Sequence, residues 1–199
     1  MNKTVICLVG HKASGKGEVV NFLSKKGFKD YSLSDEVKEE ATKRGLDQKV
    51  ELWQKLGSEL REKYGNDILA VRVLEKIRQN GGDNVVIEGI RHPAELLYFK
   101  RKLKVFILGV SAPQNRRLKW FLKRNRGSDP KNKEDFYRVD KRDLGEDSNR
   151  HGQQVASCLK LADFIIDNNG TLKELRRKVK NVFNQMILNP VTRKLYLGR

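Results

Sequence analysis

Residues 10–17, with the sequence GHKASGKG, have the composition of a loop that binds phosphate. Their spacing matches the pattern G-x-x-x-x-G-K-[ST] at every fixed position but the last, where Gly17 replaces the hydroxyl residue. In such a loop backbone N–H groups surround the phosphate oxygens, and the lysine, here Lys16, reaches the β and γ oxygens as a point charge. The pattern predicts a nucleotide site made of Gly10, His11, Lys12, Ala13, Ser14, Gly15, Lys16, Gly17 and Glu18.

Gly17 removes the hydroxyl that usually ligates Mg²⁺ in this pattern, but it leaves the phosphate cradle intact. Mg²⁺ retains several waters and is often held by substrate phosphates. Two carboxylates at predicted strand ends, Asp35 and Glu88, are our candidates for holding those waters. We therefore expect ATP and Mg²⁺ as cofactors.

Five short apolar runs alternate with helical patterns along the chain. They are TVICLV (4–9), DYSL (30–33), NVVIEG (84–89), VFILGV (105–110) and DFIID (163–167). Continuous apolar runs are typical of a parallel sheet buried on both faces. The alternation predicts an α/β fold, a three-layer sandwich with a mainly parallel five-stranded sheet. Because ligands bind such sheets at the carboxyl ends of the strands, we expect the phosphate loop, Glu88 and Asp167 on one rim.

Two segments interrupt this alternation. Residues 34–82 are predicted to form an inserted helical segment that binds the acceptor, with Ser34 as the N-cap of its first helix. The polar residues 124–149 are predicted to form a mobile basic lid. Together they belong to a single domain over residues 1–188, which a tail over 189–199 follows.

The formal net charge of +17 is concentrated in one region, since residues 100–142 contain fifteen Lys and Arg against four Asp and Glu. Such a field attracts small phosphorylated ligands or nucleic acid, and it predicts non-specific nucleic-acid binding in either case. Two Cys without a C-x-x-C pair and only three His argue against disulfide, zinc and transition-metal sites. With no apolar run of about 18–20 residues, we expect no membrane span and a cytoplasmic protein.

Six blocks in order resemble the nucleoside monophosphate kinase superfamily, over roughly residues 3–187. They are GHKASGKGEV, SLSDEVKEEATKRG, LGSELREKYGNDILA, VIEGIRHPAEL, RGSDP and ADFIIDNNGTLKEL. The chain most resembles the archaeal nucleotide kinases similar to dephospho-CoA kinase, in which glycine is common at the position of Gly17. The resemblance implies transfer of the γ-phosphoryl group of ATP to a small phosphorylated acceptor. A nucleoside monophosphate is favoured over dephospho-CoA, because dephospho-CoA kinases usually have a longer acceptor domain than residues 35–80 provide.

The resemblance also implies roles on the acceptor side. An acid at Asp35 would contact the acceptor or Mg²⁺ waters and take a proton from a hydroxyl acceptor, although the helix dipole alone would favour an acid there. Arg91 follows a strand end, where its guanidinium can fork onto the acceptor phosphate. Arg61 is a further acceptor ligand, unless it lies on a solvated helix face beside Glu59 and Glu62.

On the donor side, arginines around the GSDP turn would close over ATP, exclude water and stabilise charge on the γ-phosphoryl group. The candidates are Arg124, Arg126, Arg138 and Arg142. The segment 167–172, DNNGTL, resembles the adenine-side loop of dephospho-CoA kinases, which assigns Asn168 and Gly170 to cofactor binding. A simple strand-to-helix turn is the alternative for this segment.

Two other functions stay open. The first is a nucleic-acid-associated ATPase, although aromatic residues do not alternate with the basic ones as an RNA-stacking surface requires. The second is a non-catalytic nucleotide-binding protein, and the presence of Lys16 argues against it.

Overall fold

The computed structural model describes residues 4–124, 127, 129, 132–146 and 149–188, and the structural statements that follow concern these residues. Within them, five strands form one parallel sheet in the order β2-β3-β1-β4-β5. The strands are β1 (Thr4–Gly10), β2 (Lys29–Ser32), β3 (Asn84–Glu88), β4 (Val105–Ser111) and β5 (Phe164–Asp167). This confirms the predicted α/β fold and parallel sheet.

Helices follow the strands and cover the sheet. They are α1 (Lys16–Ser24), α2 (Leu33–Lys43), α3 (Val50–Tyr64), α4 (Ile68–Asn80), α5 (Pro93–Lys102), α6 (Gln114–Arg124), α7 (Lys133–Leu144), α8 (Val155–Lys160) and α9 (Leu172–Phe183), with a π-helical turn at Asn184–Leu188. None of these helices in the described ranges is long and apolar enough to cross a membrane.

The central strand β1 separates two apolar cores, because successive side chains of a strand point to opposite faces of the sheet. Val5, Cys7 and Val9 pack with residues of α2 to α5 and α8. Ile6 and Leu8 pack on the other face with residues of α1 and α9. All five side chains are buried, which explains the unbroken apolar run and produces the three layers.

The inserted segment consists of three helices, α2 to α4, and its start differs from the prediction. Ser32, in extended backbone, is the N-cap of α2, so Ser34 lies in the first turn rather than at the cap. The buried side chain of Leu33 explains the earlier start, because it joins the core through that first turn.

The polar segment 124–149 contains helix α7 in its described part. One face of α7 is buried through Phe136, Val139, Asp140 and Asp143, and Phe136 packs edge to face on Phe121 of α6. α7 is therefore docked on the domain in this structure. The short helix α8 follows it and is absent from the sequence-based prediction.

Candidate functional site

A cleft of about 1140 Å³ opens at the carboxyl ends of the strands. One wall is the phosphate loop with the first turn of α1. The remaining lining includes Ser32, Ser34, Glu88, Arg91, Arg116, Trp120, Arg124, Asn168 and Gly170. This volume is slightly above the range of about 300–1,000 Å³ that is typical of small-molecule sites in proteins.

The phosphate loop requires glycine at two positions. Gly10 has φ +149°, and a Cβ atom there would lie 2.1 Å from the carbonyl oxygen of Val110 on the neighbouring strand. Gly15 has φ +104°, and a Cβ atom there would lie 2.6 Å from the side-chain nitrogen of Asn168. The backbone of the loop therefore passes too close to β4 and to Asn168 for a side chain at either position. The loop leads into the N-terminus of α1, and helix N-termini favour anions.

Lys16 is the first residue of α1, and its side chain turns back into the phosphate loop. Its Nζ donates to the carbonyl oxygens of Gly10 at 2.7 Å and His11 at 2.8 Å. Burial, reinforced by the charges of Arg91 and Lys12, lowers the pKa of Lys16 to about 7. The ammonium group is thus short of anionic partners, and phosphate oxygens would supply them.

A buried carboxylate from α7, Asp143, balances part of this positive charge and was missed in the sequence. Its Oδ2 accepts a hydrogen bond from the backbone N–H of Lys12 at 3.3 Å, and its Oδ1 lies 3.3 Å from Nε of Arg91. Burial opposes its ionisation, but Arg91, Lys12 and Lys16 outweigh burial and lower the pKa of its carboxyl. The sequence did contain a signal for it, since Asp140 and Asp143 are three residues apart and lie on the same face of α7.

Asp140 anchors the same helix. Its carboxylate forms a buried ion pair with Arg117 of α6 and accepts a further hydrogen bond from Gln114. Arg117 also donates to the carbonyl oxygen of Lys12 in the loop. The pair couples the described part of the basic segment to the phosphate loop.

Arg91 and Glu88, two of the predicted acceptor ligands, both line the cleft near the end of β3. Arg91 donates from Nη1 to the carbonyl oxygen of Gly10 at 3.3 Å. Arg61 is 2% exposed and pairs with the fully buried Glu95, so it does not lie on a solvated helix face. It lines a smaller side cavity that it shares with Arg91 and Lys12.

Asp35 lies in the first turn of α2 and is exposed, with its carboxylate 2.6 Å from Nζ of Lys38. Lys38 lines the cleft, whereas the cleft-lining set among the described residues does not include Asp35. Asp30, Glu88 and Asp35 are close enough to interact, since burial and these two neighbouring charges raise the pKa of Asp30 to about 6. The role assigned to Asp35 stays a prediction.

The lid arginines separate into two groups. Arg124 lines the cleft, pairs with Asp129 at 2.7 Å and stacks over Phe121. Arg138 on α7 is directed away, since it pairs with Glu51 of α3 at 2.7 Å and with Asp135. Arg142 is half-buried one turn further along α7, and the described cleft lining includes neither residue. Arg126 lies outside the described residues.

The segment 167–172 contacts the phosphate loop directly. Asn168 donates from its side-chain amide to the carbonyl oxygen of Ser14 at 2.9 Å, which makes it a brace of the loop. Gly170 lines the cleft, and its carbonyl oxygen accepts a hydrogen bond from Arg116. Thr171 and Glu174 form the capping box that starts α9 just behind.

The residues present fit a water-mediated Mg²⁺ site. Within the described ranges no group of three or more His, Cys, Asp or Glu is placed to hold a metal ion directly. Glu88 lines the cleft, and its negative charge acts to raise the pKa of Lys16. Its carboxylate is therefore close to the phosphate loop. At Gly17 a Cβ atom would meet nothing within 4 Å, which leaves room there for water.

Comparison with protein families finds an AAA domain over residues 9–137. A UPF0200 protein of Pyrococcus horikoshii is 34% identical over 190 residues, which cover 93% of this chain and 98% of that protein. A second UPF0200 protein, from Thermococcus kodakarensis, is 31% identical over 188 residues, 92% of this chain and 98% of the relative.

Solved structures share the fold at low sequence identity. Shikimate kinase from Bacteroides thetaiotaomicron superposes with a TM-score of 0.60 at 12% identity, covering 94% of this chain and 99% of that chain. Shikimate kinase from Acinetobacter baumannii, solved in complex with shikimate, superposes with a TM-score of 0.54 at 16% identity. The match covers 95% of this chain and 96% of that chain. These similarities confirm the P-loop kinase fold that the sequence predicted.

Proposed function

Because the chain belongs to the UPF0200 family and carries an AAA domain with a P-loop kinase-like fold, we propose that it transfers the γ-phosphoryl group of ATP to a nucleoside monophosphate. The observation that carries this proposal is the position of Lys16. Its ammonium group is held on two loop carbonyls, beside Arg91 and Lys12, at the point where a glycine-framed nest faces the cleft. Concentrated positive charge with preorganised donors is what phosphoryl transfer requires of a protein.

The donor nucleotide occupies the part of the cleft between the loop and α9. Backbone N–H groups and Lys16 hold its phosphates, and the segment with Asn168 and Gly170 borders its base. Arg116 and Arg124 line this side, where their charge faces the phosphates. Water exclusion by the basic segment 124–149 would then favour transfer over hydrolysis.

The acceptor approaches from the side of α2 and α3. Arg91 lines both the cleft and the side cavity, so it can hold an acceptor phosphate while the reacting oxygen faces the loop. Asp35 would assist a hydroxyl acceptor by taking its proton, after release from Lys38. Bound Mg²⁺ would neutralise charge on the β and γ oxygens, with Glu88 and Asp35 holding its waters.

Dephospho-CoA kinase-like activity is the alternative within the same reaction class. A nucleic-acid-associated ATPase is the alternative in another class, and its support is the net charge of +17. The identity of the phosphorylated product distinguishes both alternatives from the preferred function.

The decisive experiment measures ATP consumption with AMP, CMP, dCMP, UMP, GMP and dephospho-CoA as acceptors, and identifies each product by mass. We expect ADP formation that depends on an added nucleoside monophosphate and yields the nucleoside diphosphate. ATP hydrolysis that RNA stimulates, with no acceptor phosphorylated, would favour the nucleic-acid-associated ATPase instead.

Lys16→Ala provides the matched test of the site. We expect turnover to fall by about 10²–10³ while the domain stays folded, because the lost group stabilises transferring charge. Lys26→Ala, an exposed lysine just beyond α1, is the control and should retain parental turnover. A Lys16→Ala variant with parental kcat would rule out the loop as the catalytic site.

A further inference from the structure

The phosphate loop contains a strained residue, Ala13. Its φ is +58°, and within the part of the chain that the structure describes it is the one non-glycine residue with positive φ. The N–H of Ser14 donates to the carbonyl oxygen of His11 at 3.2 Å and closes a four-residue turn. Because Lys12 does not share the positive φ, this is a type II turn, in which glycine is usual at the third position. Alanine at that position is disfavoured, so the surrounding structure must hold the turn in this form.

The strain depends on the orientation of the peptide group between Lys12 and Ala13. A type I turn differs from a type II turn chiefly by a rotation of this central peptide, and it gives the third residue the negative φ that alanine prefers. The C=O and N–H groups of a planar trans peptide point in opposite directions. Since the carbonyl oxygen of Lys12 points to Arg117, the N–H of Ala13 points away from Arg117, and Ala13 lines the cleft. Rotation to type I would reverse both groups and turn the carbonyl oxygen away from Arg117.

The guanidinium group of Arg117 on α6 is fixed independently of the loop. Its side chain is buried, its Nε donates to the carbonyl oxygen of Ala112 at 3.1 Å, and its two terminal nitrogens pair with both carboxylate oxygens of Asp140. From this fixed position Nη1 also donates to the carbonyl oxygen of Lys12 at 3.3 Å. Asp140 neutralises the charge of Arg117, and the cleft lining in the described part of the chain does not include Arg117. The arginine can therefore act on a bound nucleotide only through the loop.

From this we infer that Arg117 is a positioning residue, which holds the Lys12 carbonyl and so keeps the phosphate loop in the type II form that binds phosphate; the inference rests on the proposed binding of ATP at this loop. In this form the N–H of Ala13 is left to donate to phosphate oxygens, as in other backbone anion sites. The rotated form would present a carbonyl oxygen to the phosphates instead. Without Arg117 the binding form becomes a fraction of the population, and the apparent Kd for ATP rises by the inverse of that fraction.

Equilibrium binding of ATP with Mg²⁺ to the full chain, measured by calorimetry without an acceptor, tests this inference. The variant Arg117→Met/Asp140→Asn removes the donor and leaves no buried charge of the pair without a partner. We expect its ATP affinity to fall about tenfold, because left-handed backbone is disfavoured for alanine by roughly that factor. Adding Ala13→Gly should recover at least about fivefold, since glycine adopts positive φ readily. The same substitution in the parent should give a smaller gain, because Arg117 already holds the turn.

This recovery distinguishes a positioning role from loss of charge or loss of stability, neither of which glycine at position 13 would repair. Lys119→Met, an exposed cation on the same helix, is the matched control and should bind ATP like the parent. Arg117→Lys retains the charge beside Asp140 and serves if the double variant does not fold. Its single ammonium group cannot reproduce the planar fork, so we expect the same pattern with a loss of about threefold. Melting temperatures verify that each variant is folded.

Parental ATP affinity in the Arg117 variants would overturn the inference, as would a loss that Ala13→Gly repairs no better than it improves the parent. Turnover separates this inference from the proposed function. A parent that phosphorylates a nucleoside monophosphate, beside Arg117 variants with parental ATP affinity, keeps the kinase and sinks the positioning role. A parent that binds ATP but phosphorylates no acceptor, beside recovery by Ala13→Gly, keeps the positioning role and sinks the kinase.

Discussion

Asp143 of α7 accepts a hydrogen bond from the backbone N–H of Lys12, so a carboxylate from the basic segment lies against the phosphate loop. Asp143 is fully buried, and its ion-pair partner Arg91 is 13% exposed. Buried charges are tolerated only when paired, which makes this carboxylate the internal counter-ion of the cationic cradle. Nucleotide phosphates would bring a second anionic group to the same cations.

Asp143→Asn is therefore expected to destabilise the ligand-free protein by about 3 kcal/mol, because Arg91, Lys12 and Lys16 lose their buried counter-charge. ATP should restore much of this loss, so the ATP-induced rise in melting temperature should exceed that of the parent. Thermal unfolding with and without ATP measures both quantities. Asp47→Asn, which breaks the exposed pair with Lys49, is the control. A smaller ATP-induced rise in Asp143→Asn would mean that Asp143 shapes the loop for ATP rather than substituting for it.

ATP binding is expected to take up protons at pH 8. In the ligand-free protein burial lowers the pKa of Lys16 to about 7 and that of Lys12 to about 8, so both are partly or mostly neutral at this pH. Phosphate oxygens raise both pKa values and the lysines become charged, whereas the phosphates, with a pKa of about 6, are already ionised. Calorimetry of ATP binding in buffers of different ionisation enthalpy measures the uptake. Lys12→Met should reduce it, and a binding heat that is independent of buffer would contradict the prediction.

The strands and the phosphate loop were predictable because local chemistry determines them. The apolar run of β1 is buried on both faces, and the glycines at 10 and 15 occupy positions that exclude a Cβ atom. The buried charges near the cleft were less predictable, because they depend on partners distant in the chain. Arg61 pairs with Glu95 across 34 positions, and Asp143 meets Lys12 across 131. The sequence pattern of a helix cannot distinguish these buried charged residues from charged residues that face solvent.

The packing of α3 shows the same limit. Gln54 and Trp53 were not predicted to have a role, since a polar or aromatic residue in a helix is compatible with many environments. Which of their polar atoms find partners depends on how α3 packs against Val139 and Gln153, and only the three-dimensional arrangement reveals it.

Gly17→Ser is expected to lower the Mg²⁺ concentration needed for half-maximal turnover. A side chain at this position meets no atom within 4 Å, so the serine fits and its hydroxyl supplies the missing ligand. Gly17→Ala is the control for the added carbon. Mg²⁺ titration of turnover compares the three proteins, and equal curves for Ser and Ala would show that the hydroxyl does not reach the metal.

Glu88→Gln and Asp35→Asn test whether either carboxylate helps to hold Mg²⁺ through its waters. We expect the apparent Mg²⁺ requirement to rise in at least one, and more in Glu88→Gln, because Glu88 lines the cleft while Asp35 pairs with Lys38 at the surface. Both substitutions retain the size of the side chain, remove its charge and replace one acceptor oxygen by an NH₂ donor. Unchanged Mg²⁺ curves in both variants would mean that phosphates and water hold the metal without either acid.

Arg138→Ala tests whether the lid segment moves during the reaction. In this structure Arg138 pairs with Glu51 and Asp135 away from the cleft. If α7 carries its guanidinium to the γ-phosphoryl group in the closed state, the contact exists chiefly in the transition state. Arg138→Ala should then lower kcat by about tenfold or more with little change in ATP affinity.

Lys141→Ala, an exposed cation on the same helix, controls for the loss of one charge and should retain parental kcat. A nucleic-acid patch makes a different prediction for Arg138→Ala, because a phosphate contact contributes to affinity and not to the chemical step. Basal ATP turnover would then be unchanged, and the salt dependence of RNA binding would decrease by about one unit of slope. Measuring kcat and the salt slope on the same variant separates the two roles, since an unchanged kcat beside a reduced slope assigns Arg138 to nucleic-acid binding.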